Sequence, residues 1–450
     1  MKHITNALVV NPWVADFKLY DEWMHPVGLY ALIALLRHNQ IAVTYVNILG
    51  PDAILKPRRH GTGSFRYRVV KKPSPYASLP RKYKYYGMHD THVDEIMQSL
   101  DPPDVILVGS GMTYWLPGLS KTIDMLRAHF PQVPIAVGGI SARLIPDILA
   151  AHFPSCTLLP VSLQHEDGIN RLGRFLQQPI NFGLQERSFT DAFSLQRTMN
   201  HAPVLLSTGC PLNCTYCASH ALQPSFCHRD RETVLREIDY ARHIKGVRDF
   251  AFYDDALLFK WDTHLRPFLQ QVRKDYPQIR LHTPNGLHLQ WITRENAGLM
   301  HDAGFQTLRF GYESGNELFR KHTGDKLQPD RIPDKINMLT DAGFHPSAIG
   351  IYVMAGLPGQ TPGMVAADIK FVASLGVKAK PVFLSPVPAT PLYDSYVRQF
   401  PMIARNPLLH NDSYFITMLP GWNFQSVEEL RTLARNYNRA LPDTQSLELP

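Results

Sequence analysis

Three cysteines stand close together in the run Ser207-Thr-Gly-Cys210-Pro-Leu-Asn-Cys214-Thr-Tyr-Cys217-Ala-Ser-His220. The whole chain has only five cysteines, so composition alone does not account for this grouping. One loop therefore offers three thiolates to a metal centre. A cubic iron–sulfur cluster has four irons, and three thiolates leave one iron without a protein ligand. That open position indicates redox chemistry on a bound small molecule rather than simple electron storage.

A structural zinc ion is the alternative occupant, with His220 as its fourth ligand. Structural zinc is usually held by two separated ligand pairs that join two chain segments, whereas these cysteines share one loop. We therefore favour a [4Fe-4S] cluster bound by Cys210, Cys214 and Cys217.

Length and composition predict a folded protein of two or three domains, with 450 residues, 44% of them hydrophobic and 19% charged. The longest apolar run near the start, residues 27–36, is too short to span a bilayer, and we find no signal peptide before it. An odd number of cysteines does not indicate a disulfide framework, so we expect a cytoplasmic protein. Cys156 and Cys227 are expected to be buried free thiols.

Residues 1–165 alternate between short apolar runs and helix-like segments. The predicted strands lie at 7–11, 42–47, 104–109, 133–137 and 157–161, with helices at 26–39, 119–130 and 144–152. This alternation predicts an α/β fold, a doubly wound parallel sheet with helices on both faces. Ligands of such sheets bind at the carboxyl ends of the strands.

Residues 166–200 show no clear period and are predicted to be a linker. A second series over residues 201–400 predicts a partial (β/α)6 barrel of the TIM type, whose active site gathers at the strand ends. Its strands are predicted at 204–207, 249–253, 280–283, 307–310, 348–353 and 381–384, with helices at 232–243, 264–275, 295–303, 331–342 and 364–375. Residues 401–450 are predicted to be a helical extension, with a capping box from Ser426 to Glu429 and a loose tail at 445–450.

Polar residues follow several of the predicted barrel strands. Asp254 and Asp255 are adjacent carboxylates that can do acid–base work or hold an ammonium group; a helix cap with a solvated neighbour is the alternative. Arg309 and Glu313 are four residues apart on one predicted strand. Side chains alternate between the two faces of a strand, so we expect these two on the same side, as a ligand-binding pair or a structural ion pair. Asn285 is a hydrogen-bonding candidate or a plain turn residue.

A basic segment spans residues 56–84, with ten Lys or Arg and no Asp or Glu. Basic charge interleaved with aromatic residues is typical of nucleic-acid-binding surfaces, which use phosphate contacts and base stacking. The interleaved aromatics are Phe65, Tyr67, Tyr76, Tyr83, Tyr85 and Tyr86. We favour a long loop packed over the other domain, with its charges solvated or meeting a phosphate-bearing ligand, because one basic segment does not make a basic protein.

The spacing CxxxCxxC, with the aromatic Tyr216 before its last cysteine, resembles the radical S-adenosylmethionine (SAM) superfamily. The resemblance implies that SAM chelates the open iron and is cleaved by an electron to a 5′-deoxyadenosyl radical. It also implies an electron donor such as flavodoxin or ferredoxin. The Gly-Gly-Glu run that is usual after the second strand is replaced here by the aspartate pair. The implied SAM contacts are Tyr216, Asp254, Asp255, Asn285, Arg309, Glu313, Gly356 and Pro358, the last two on the adenine side.

The amino-terminal half resembles the cobalamin-binding subgroup of that superfamily. The resemblance rests on the runs Asn11-Pro-Trp-Val-Ala-Asp16, Met112-Thr-Tyr-Trp-Leu-Pro-Gly118 and Val137-Gly-Gly139. It implies a Rossmann-type domain in which cobalamin is contacted by Trp13, Met112, Thr113, Gly138 and Gly139. The Asp-x-His-x-x-Gly motif is absent, and Ser162-Leu-Gln-His-Glu-Asp167 replaces the usual acidic run. A domain that keeps the fold without the cofactor is therefore the alternative.

These features together predict a radical SAM enzyme that uses cobalamin to transfer a methyl group to an unactivated carbon. The alternatives are a cobalamin-independent rearrangement or hydrogen abstraction, and an RNA-directed enzyme that binds through residues 56–84. We favour a partner other than nucleic acid and expect no membrane span. The sequence identifies neither the substrate nor a catalytic residue.

Overall fold

Strands and helices alternate through residues 3–181, 188–324 and 327–442, the parts of the chain that the computed structural model describes. The chain divides into two compact units. The first comprises Met1–Pro203, Glu232–Val247 and Gln399–Leu409. The second comprises Val204–Arg231, Arg248–Arg398 and His410–Pro450.

The amino-terminal part of the chain holds ten strands and seven helices in its described residues. The strands are β1 (Asn6–Asn11), β2 (Val14–Asp16), β3 (Ala42–Asn47), β4 (Ile54–Pro57), β5 (Gly63–Phe65), β6 (Tyr67–Val70), β7 (Tyr83–Tyr86), β8 (Val105–Val108), β9 (Ile135–Gly138) and β10 (Thr157–Leu159). The helices are α1 (Val27–His38), α2 (Asp90–Gln98), α3 (Leu116–His129), α4 (Ile140–Leu144), α5 (Pro146–His152), α6 (Glu166–Leu176) and α7 (Thr190–Ser194).

Five of these strands form the central parallel sheet of the first unit, in the order β10-β9-β8-β1-β3. Every residue of β8 and the four inner residues of β1 are buried. Such continuous apolar runs are expected of parallel strands that are covered on both faces. The sheet confirms the doubly wound arrangement predicted for this half of the chain.

The basic segment is folded into the first unit rather than forming a long loop. It supplies β6 and β7 of an antiparallel sheet in the order β2-β7-β6, and β4 pairs with β5 in a separate hairpin. Four of the interleaved aromatics, which the sequence suggested for base stacking, are almost completely buried: Phe65, Tyr76, Tyr83 and Tyr86. Their burial explains why a segment so rich in charge still folds.

The rest of the chain contains eight further strands and ten further helices in its described residues. The strands are β11 (Ala202–Val204), β12 (Ser207–Thr208), β13 (Cys227–His228), β14 (Asp249–Phe252), β15 (Arg280–His282), β16 (Phe305–Glu313), β17 (Ile349–Ala355) and β18 (Lys378–Phe383). The helices are α8 (Ser219–Leu222), α9 (Arg231–His243), α10 (Leu265–Asp275), α11 (Arg294–Asp302), α12 (Glu317–His322), α13 (Ile332–Asp341), α14 (Pro362–Ser374), α15 (Pro391–Gln399), α16 (Asp412–Phe415) and α17 (Phe424–Arg439).

The second unit is built on a six-stranded sheet in the order β11-β14-β15-β16-β17-β18. Neighbouring strands from β14 to β18 run parallel, and at least one helix lies in the chain between each pair. Consecutive strands are neighbours throughout, apart from a short hairpin of β12 with β13. This order is the one that the predicted (β/α)6 series requires, and it brings all the carboxyl strand ends to one edge.

Two local expectations differ from the structure, and a third lies outside the described residues. Part of the predicted linker at 166–200 is helical, because α6 buries an apolar stripe that includes Ile169, Leu172 and Leu176. The last helix is capped by Asn423, with Ser426 as its reciprocal partner, so the capping box lies three residues earlier than expected. The tail predicted at 445–450 lies outside the described residues. Within the described ranges, every helix is too short or too polar to cross a bilayer.

Candidate functional site

The three clustered cysteines lie on one loop whose ends are held together. This cysteine loop, residues 209–226, connects β12 to β13, and Thr208 pairs with Cys227 in the antiparallel hairpin. Gly209 has a φ of 80°, and a side chain there would come within 2.4 Å of the Ser225 carbonyl oxygen. Glycine is therefore required where the loop leaves the hairpin.

The cysteines differ in exposure but none forms a disulfide. Cys214 is buried, Cys210 is half-buried and Cys217 is exposed. The Cys217 amide donates to the Cys214 carbonyl at 3.1 Å, so the second half of the motif is a tight turn. His220, the alternative zinc ligand, has its Nε2 within 2.8 Å of the Leu212 carbonyl oxygen. Three thiols on one anchored loop suit an iron–sulfur cluster with one open iron.

Asp254 fixes the chain just before the cysteine loop. Its two carboxylate oxygens accept hydrogen bonds from the amides of Leu206 and Ser207 at 3.1 and 2.6 Å, and the Ser207 hydroxyl donates a third. Burial raises the pKa of Asp254 to about 6, and these hydrogen bonds oppose the rise. Both oxygens are thus engaged within the protein. Asp254 therefore holds the start of the cysteine loop, and its contact with SAM stays a prediction.

The neighbouring Asp255 is the more accessible of the two carboxylates. It is exposed, although the protein packed around it raises its pKa by desolvation, against a hydrogen bond from Ser219. The Ser219 hydroxyl also lies 3.1 Å from the Cys217 sulfur. Asp255 therefore reaches the cysteine loop through one hydroxyl, and it remains the candidate for holding an ammonium group.

Tyr216 and Glu313 form the most direct link between the cysteine loop and the barrel strands. The Tyr216 hydroxyl donates to Glu313 Oε1 at 2.7 Å. Burial and the nearby Glu313 carboxylate hold the pKa of Tyr216 well above its usual value, so the tyrosine stays a donor. Glu313 is 5% exposed and has a φ of 69°, the left-handed region that residues other than glycine rarely adopt. Such strain is typical of functional sites.

A buried aspartate on α14 supports the turn after Glu313. Asp368 accepts hydrogen bonds from the Ser314 hydroxyl at 2.8 Å, the Gly315 amide at 2.9 Å and the Tyr312 hydroxyl at 3.3 Å. Our sequence analysis missed Asp368. The available signal was an acidic residue on the otherwise apolar inner face of a helix, a placement that usually means a satisfied partner.

Arg309 and Asn285 both make contacts with neighbouring strands. The Arg309 guanidinium donates to the carbonyls of Leu308 and Ala348. A register shift between Gly311 and Glu313 interrupts the two-residue alternation on which the expected pairing of Arg309 with Glu313 rests. Asn285 donates to the carbonyls of Tyr253 and Asp254, which directly follow β14, at 3.1 and 3.4 Å, and thus ties the segments after β14 and β15 together.

The glycine-containing turn after β17 is held from inside by Gln360. The Gln360 side-chain oxygen accepts from the amides of Gly356 and Leu357, and its nitrogen donates to the Met354 carbonyl. The Tyr396 hydroxyl donates to the Gly356 carbonyl. Both backbone polar groups of Gly356 are thus used internally, whereas the nearby Pro358 is exposed.

The candidate cobalamin residues of the first unit fall into two groups. Gly138 ends β9 and Gly139 follows it, whereas Met112 and Thr113 follow β8, so all four lie at the carboxyl edge of the sheet. Gly139 has a φ of 99°, and a side chain there would meet the Ser110 backbone at 2.4 Å, so the two loops lie in contact. Met112 is 45% exposed and Thr113 is buried.

Trp13, in contrast, belongs to the hydrophobic core. It is 3% exposed, and its indole nitrogen donates to the Met88 carbonyl at 2.9 Å. The ammonium of Lys121 lies 3.3 Å from the centre of the indole ring. These contacts are those of a core aromatic residue, and they favour packing over cobalamin binding as the role of Trp13.

The two remaining cysteines are not both buried. Cys156 is half-buried, and desolvation raises the pKa of its thiol. Cys227 is exposed, which contradicts the expectation of a buried thiol. It lies on the short hairpin strand β13, which presents both of its residues to solvent.

The first unit also contains a buried polar chain that our sequence analysis did not identify. Asp21 Oδ2 lies 2.9 Å from His201 Nε2, and His201 Nδ1 lies 2.7 Å from His25 Nε2. His25 Nδ1 lies 2.9 Å from the Tyr30 hydroxyl. Burial, followed by the charge of His201, holds the pKa of His25 well below its usual value. His25 is therefore neutral in the folded protein.

Comparisons with known proteins match parts of this chain. Residues 204–372 match the model of the radical SAM superfamily. The uncharacterized methyltransferase PH0819 of Pyrococcus horikoshii is 28% identical over 204 residues, which are 42% of this chain. That alignment spans 41% of the relative's length.

Solved structures share the fold of both halves. The radical SAM methyltransferase TsrM of Kitasatospora setae, solved with tryptophan substrate and a SAM analogue, has a TM-score of 0.61 at 14% identity. That match covers 88% of this chain and 76% of TsrM. The cobalamin-dependent SAM radical enzyme OxsB, solved with aqua-cobalamin and SAM, has a TM-score of 0.55 at 14% identity, covering 99% of this chain and 63% of OxsB.

Proposed function

Since this chain belongs to the radical SAM superfamily through residues 204–372, we propose that it transfers a methyl group from SAM to an unactivated carbon with the help of cobalamin. The observation that carries the proposal is the cysteine loop, which presents three cysteines outside any disulfide from one hairpin-anchored segment. An exposed carboxylate, Asp255, follows β14, and a strained buried one, Glu313, ends β16 in the same sheet.

The donor set of the second unit fits a cluster with SAM bound to it. Cys210, Cys214 and Cys217 would hold three irons, and a cluster bound there would supply, from an external donor, the electron that breaks a sulfonium bond of SAM. Asp255 can accept from the SAM amine, since its carboxylate is accessible. Tyr216 orients Glu313 by its hydrogen bond, so that one oxygen of this carboxylate is fixed in the site.

Support for cobalamin comes from the first unit and its relatives. TsrM and OxsB, which share the fold, have both been solved with cobalamin bound. In this chain two large apolar side chains, Met112 after β8 and Ile140 at the start of α4, are 45% and 41% exposed. Ligands of doubly wound sheets bind at that edge, and an apolar macrocycle would cover such side chains. Bound cobalamin would carry the methyl group between SAM and substrate.

A cobalamin-independent radical reaction is the second candidate, favoured by one observation. Trp13, part of the run that resembles the cobalamin subgroup, is buried in the core and bonded to Met88. A domain can keep that tryptophan for packing alone. Retention of cobalamin by the purified protein distinguishes the two reactions.

Anaerobic reconstitution tests the proposal. We expect about four irons and four sulfides per chain, cleavage of SAM when a reductant is added, and a visible cobalamin spectrum that survives gel filtration. Cys214→Ala should lose the cluster, whereas Cys156→Ala should keep it. Stoichiometric zinc in place of iron would contradict the radical SAM assignment. Normal SAM cleavage without cobalamin retention would remove only the methyl-transfer step and favour the second candidate.

A further inference from the structure

The small antiparallel sheet of the first unit has an open edge with available backbone groups. β6 is its last strand, and β7 pairs with it on one side. The Gly87 amide donates to the Arg66 carbonyl, which makes these two residues a hydrogen-bonded pair. Bonded and non-bonded pairs alternate along an antiparallel ladder, so the N–H and C=O groups of Tyr67 and Val69 point away from β7.

The side chains at these two positions are apolar and exposed. Tyr67 is 52% and Val69 is 53% exposed, and the two-residue period of a strand puts both on one face. The Lys84 ammonium lies 4.2 Å from the centre of the Tyr67 ring on that face. Proteins usually protect an edge strand by placing charge or proline at the open positions. Here those positions carry a tyrosine and a valine instead.

The charges around this edge are positive and unbalanced. Arg66, Lys71 and Lys82 are exposed, and with Lys84 they form no ion pair with any carboxylate among the described residues. The pKa of Lys84 is lowered by partial burial and by repulsion from Lys82 and Arg81. Arg68 is different, because it is paired with Asp90 at 2.5 Å.

We propose that β6 binds an extended, acidic peptide segment of a partner protein, which adds to the sheet as a further strand. The backbone groups of Tyr67 and Val69 supply the ladder hydrogen bonds, and their side chains supply apolar contact. The surrounding cations select carboxylates on the peptide and speed its association. The proposal does not depend on the iron–sulfur cluster or on methyl transfer, so each can fail without the other.

Two other occupants fit the edge less well. A second copy of this chain would bring Arg66, Lys71 and Lys82 against the same cations, and like charges across an interface are unfavourable. A nucleic acid would use several exposed aromatic faces for stacking. Of the six aromatics in and around the basic segment, four are almost fully buried and only Tyr67 is highly exposed.

The test uses the full chain and a fluorescein-labelled peptide that alternates glutamate and valine. Fluorescence anisotropy should show binding that weakens as salt is raised, and no binding of a peptide that alternates lysine and valine. Val69→Pro removes one edge donor without touching the ladder to β7, so affinity should fall about tenfold. Val69→Thr keeps the donor and the branched shape, and should bind like the wild type.

A second pair of probe peptides tests the added strand independently of whether the proline variant folds. Two peptides are methylated on the backbone nitrogens, one at every valine and the other at every glutamate. Only one set of nitrogens faces β6 in an added strand, so the two affinities should differ about tenfold. Equal affinities, or a Val69→Pro variant that folds and binds normally, would overturn the proposal. So would tighter binding of oligouridylate, or a dimer in ultracentrifugation that Val69→Pro abolishes.

Discussion

Glu313 shows what single residues contribute to the candidate site. Its backbone is left-handed, its side chain is buried, and its carboxylate is bonded to Tyr216 across 97 residues of sequence. The strand-end position was predictable from the order of strands along the chain. The partner was not, because no local period relates a loop residue to a strand end so far away.

Tyr216→Phe is expected to weaken SAM binding while leaving the iron–sulfur cluster intact. The change removes one hydrogen bond that orients Glu313, so the dissociation constant for SAM should rise about three- to tenfold. Iron content and SAM affinity, measured by equilibrium dialysis on reconstituted protein, check this. Tyr437→Phe, on the exposed side of α17, is the matched control. Loss of iron with unchanged SAM affinity per cluster would mean that Tyr216 only supports the loop.

Asp254 is expected to make stability depend on pH. Its folded pKa of about 6 lies above the value near 4 of an unfolded aspartate, so the folded state binds this proton more tightly. The free energy of unfolding should therefore fall as pH rises from about 4 to 6, by about 3 kcal/mol from this group. Asp254→Asn should remove that slope in urea unfolding of the cluster-free protein.

The same variant should also destabilise the protein at every pH. The new amide nitrogen would face one of the amides of Leu206 and Ser207, which are both donors. Asp262→Asn, a change at an exposed carboxylate, provides the control for the slope. If the free energy of unfolding of Asp254→Asn depends on pH as strongly as that of the wild type, another group is responsible for the dependence.

At the scale of elements, strand–helix alternation predicted both parallel sheets and most boundaries to within a few residues. β3 matches its predicted range at both ends, because its apolar run is bounded by clear turn signals. The β12–β13 hairpin was missed because each strand has two residues, too few for any period. The contacts of Asp254, Tyr216 and Asp368 could not be predicted from local sequence patterns, since each contact joins residues that are 47 or more positions apart.

Gln360 is expected to be the key support of the turn after β17. Gln360→Ala leaves the amides of Gly356 and Leu357 and the Met354 carbonyl without their partner in a buried place. Unpaired buried polar groups are costly, so the free energy of unfolding should fall by about 3 kcal/mol. Urea denaturation measures this. Gln425→Ala, at an exposed position on α17, should change stability by less than about 0.5 kcal/mol.

At the scale of the whole molecule, the two units should respond to acid in opposite directions. His25 in the first unit is half-buried and neutral, and desolvation holds its pKa below that of an unfolded histidine. Below about pH 6.5 the unfolded chain takes up a proton that the folded unit does not. The first unit therefore loses stability as pH falls, by up to about 1.4 kcal/mol per pH unit, whereas Asp254 favours the second unit in acid.

Hydrogen exchange read by mass spectrometry can follow each unit separately. After correction for intrinsic exchange rates, peptides from α1 should lose protection between pH 6.5 and 5 in the wild type and less so in His25→Gln. His243→Gln, at an exposed position, is the control. Equal pH responses of α1 in the wild type and His25→Gln would show that the buried polar chain does not govern acid sensitivity.

The pairing of Thr208 with Cys227 has a consequence for how the metal centre is assembled. It joins the two ends of residues 209–226 through backbone pairing that involves none of the three clustered cysteines. Bringing the ends of a free segment of this length together would cost about 2.5 kcal/mol in chain entropy. Because the hairpin offsets that cost through its own backbone pairing, we expect the loop to hold its shape independently of the cluster. The polypeptide should therefore fold without the cluster, and loss of the cluster should not unfold the rest of the protein.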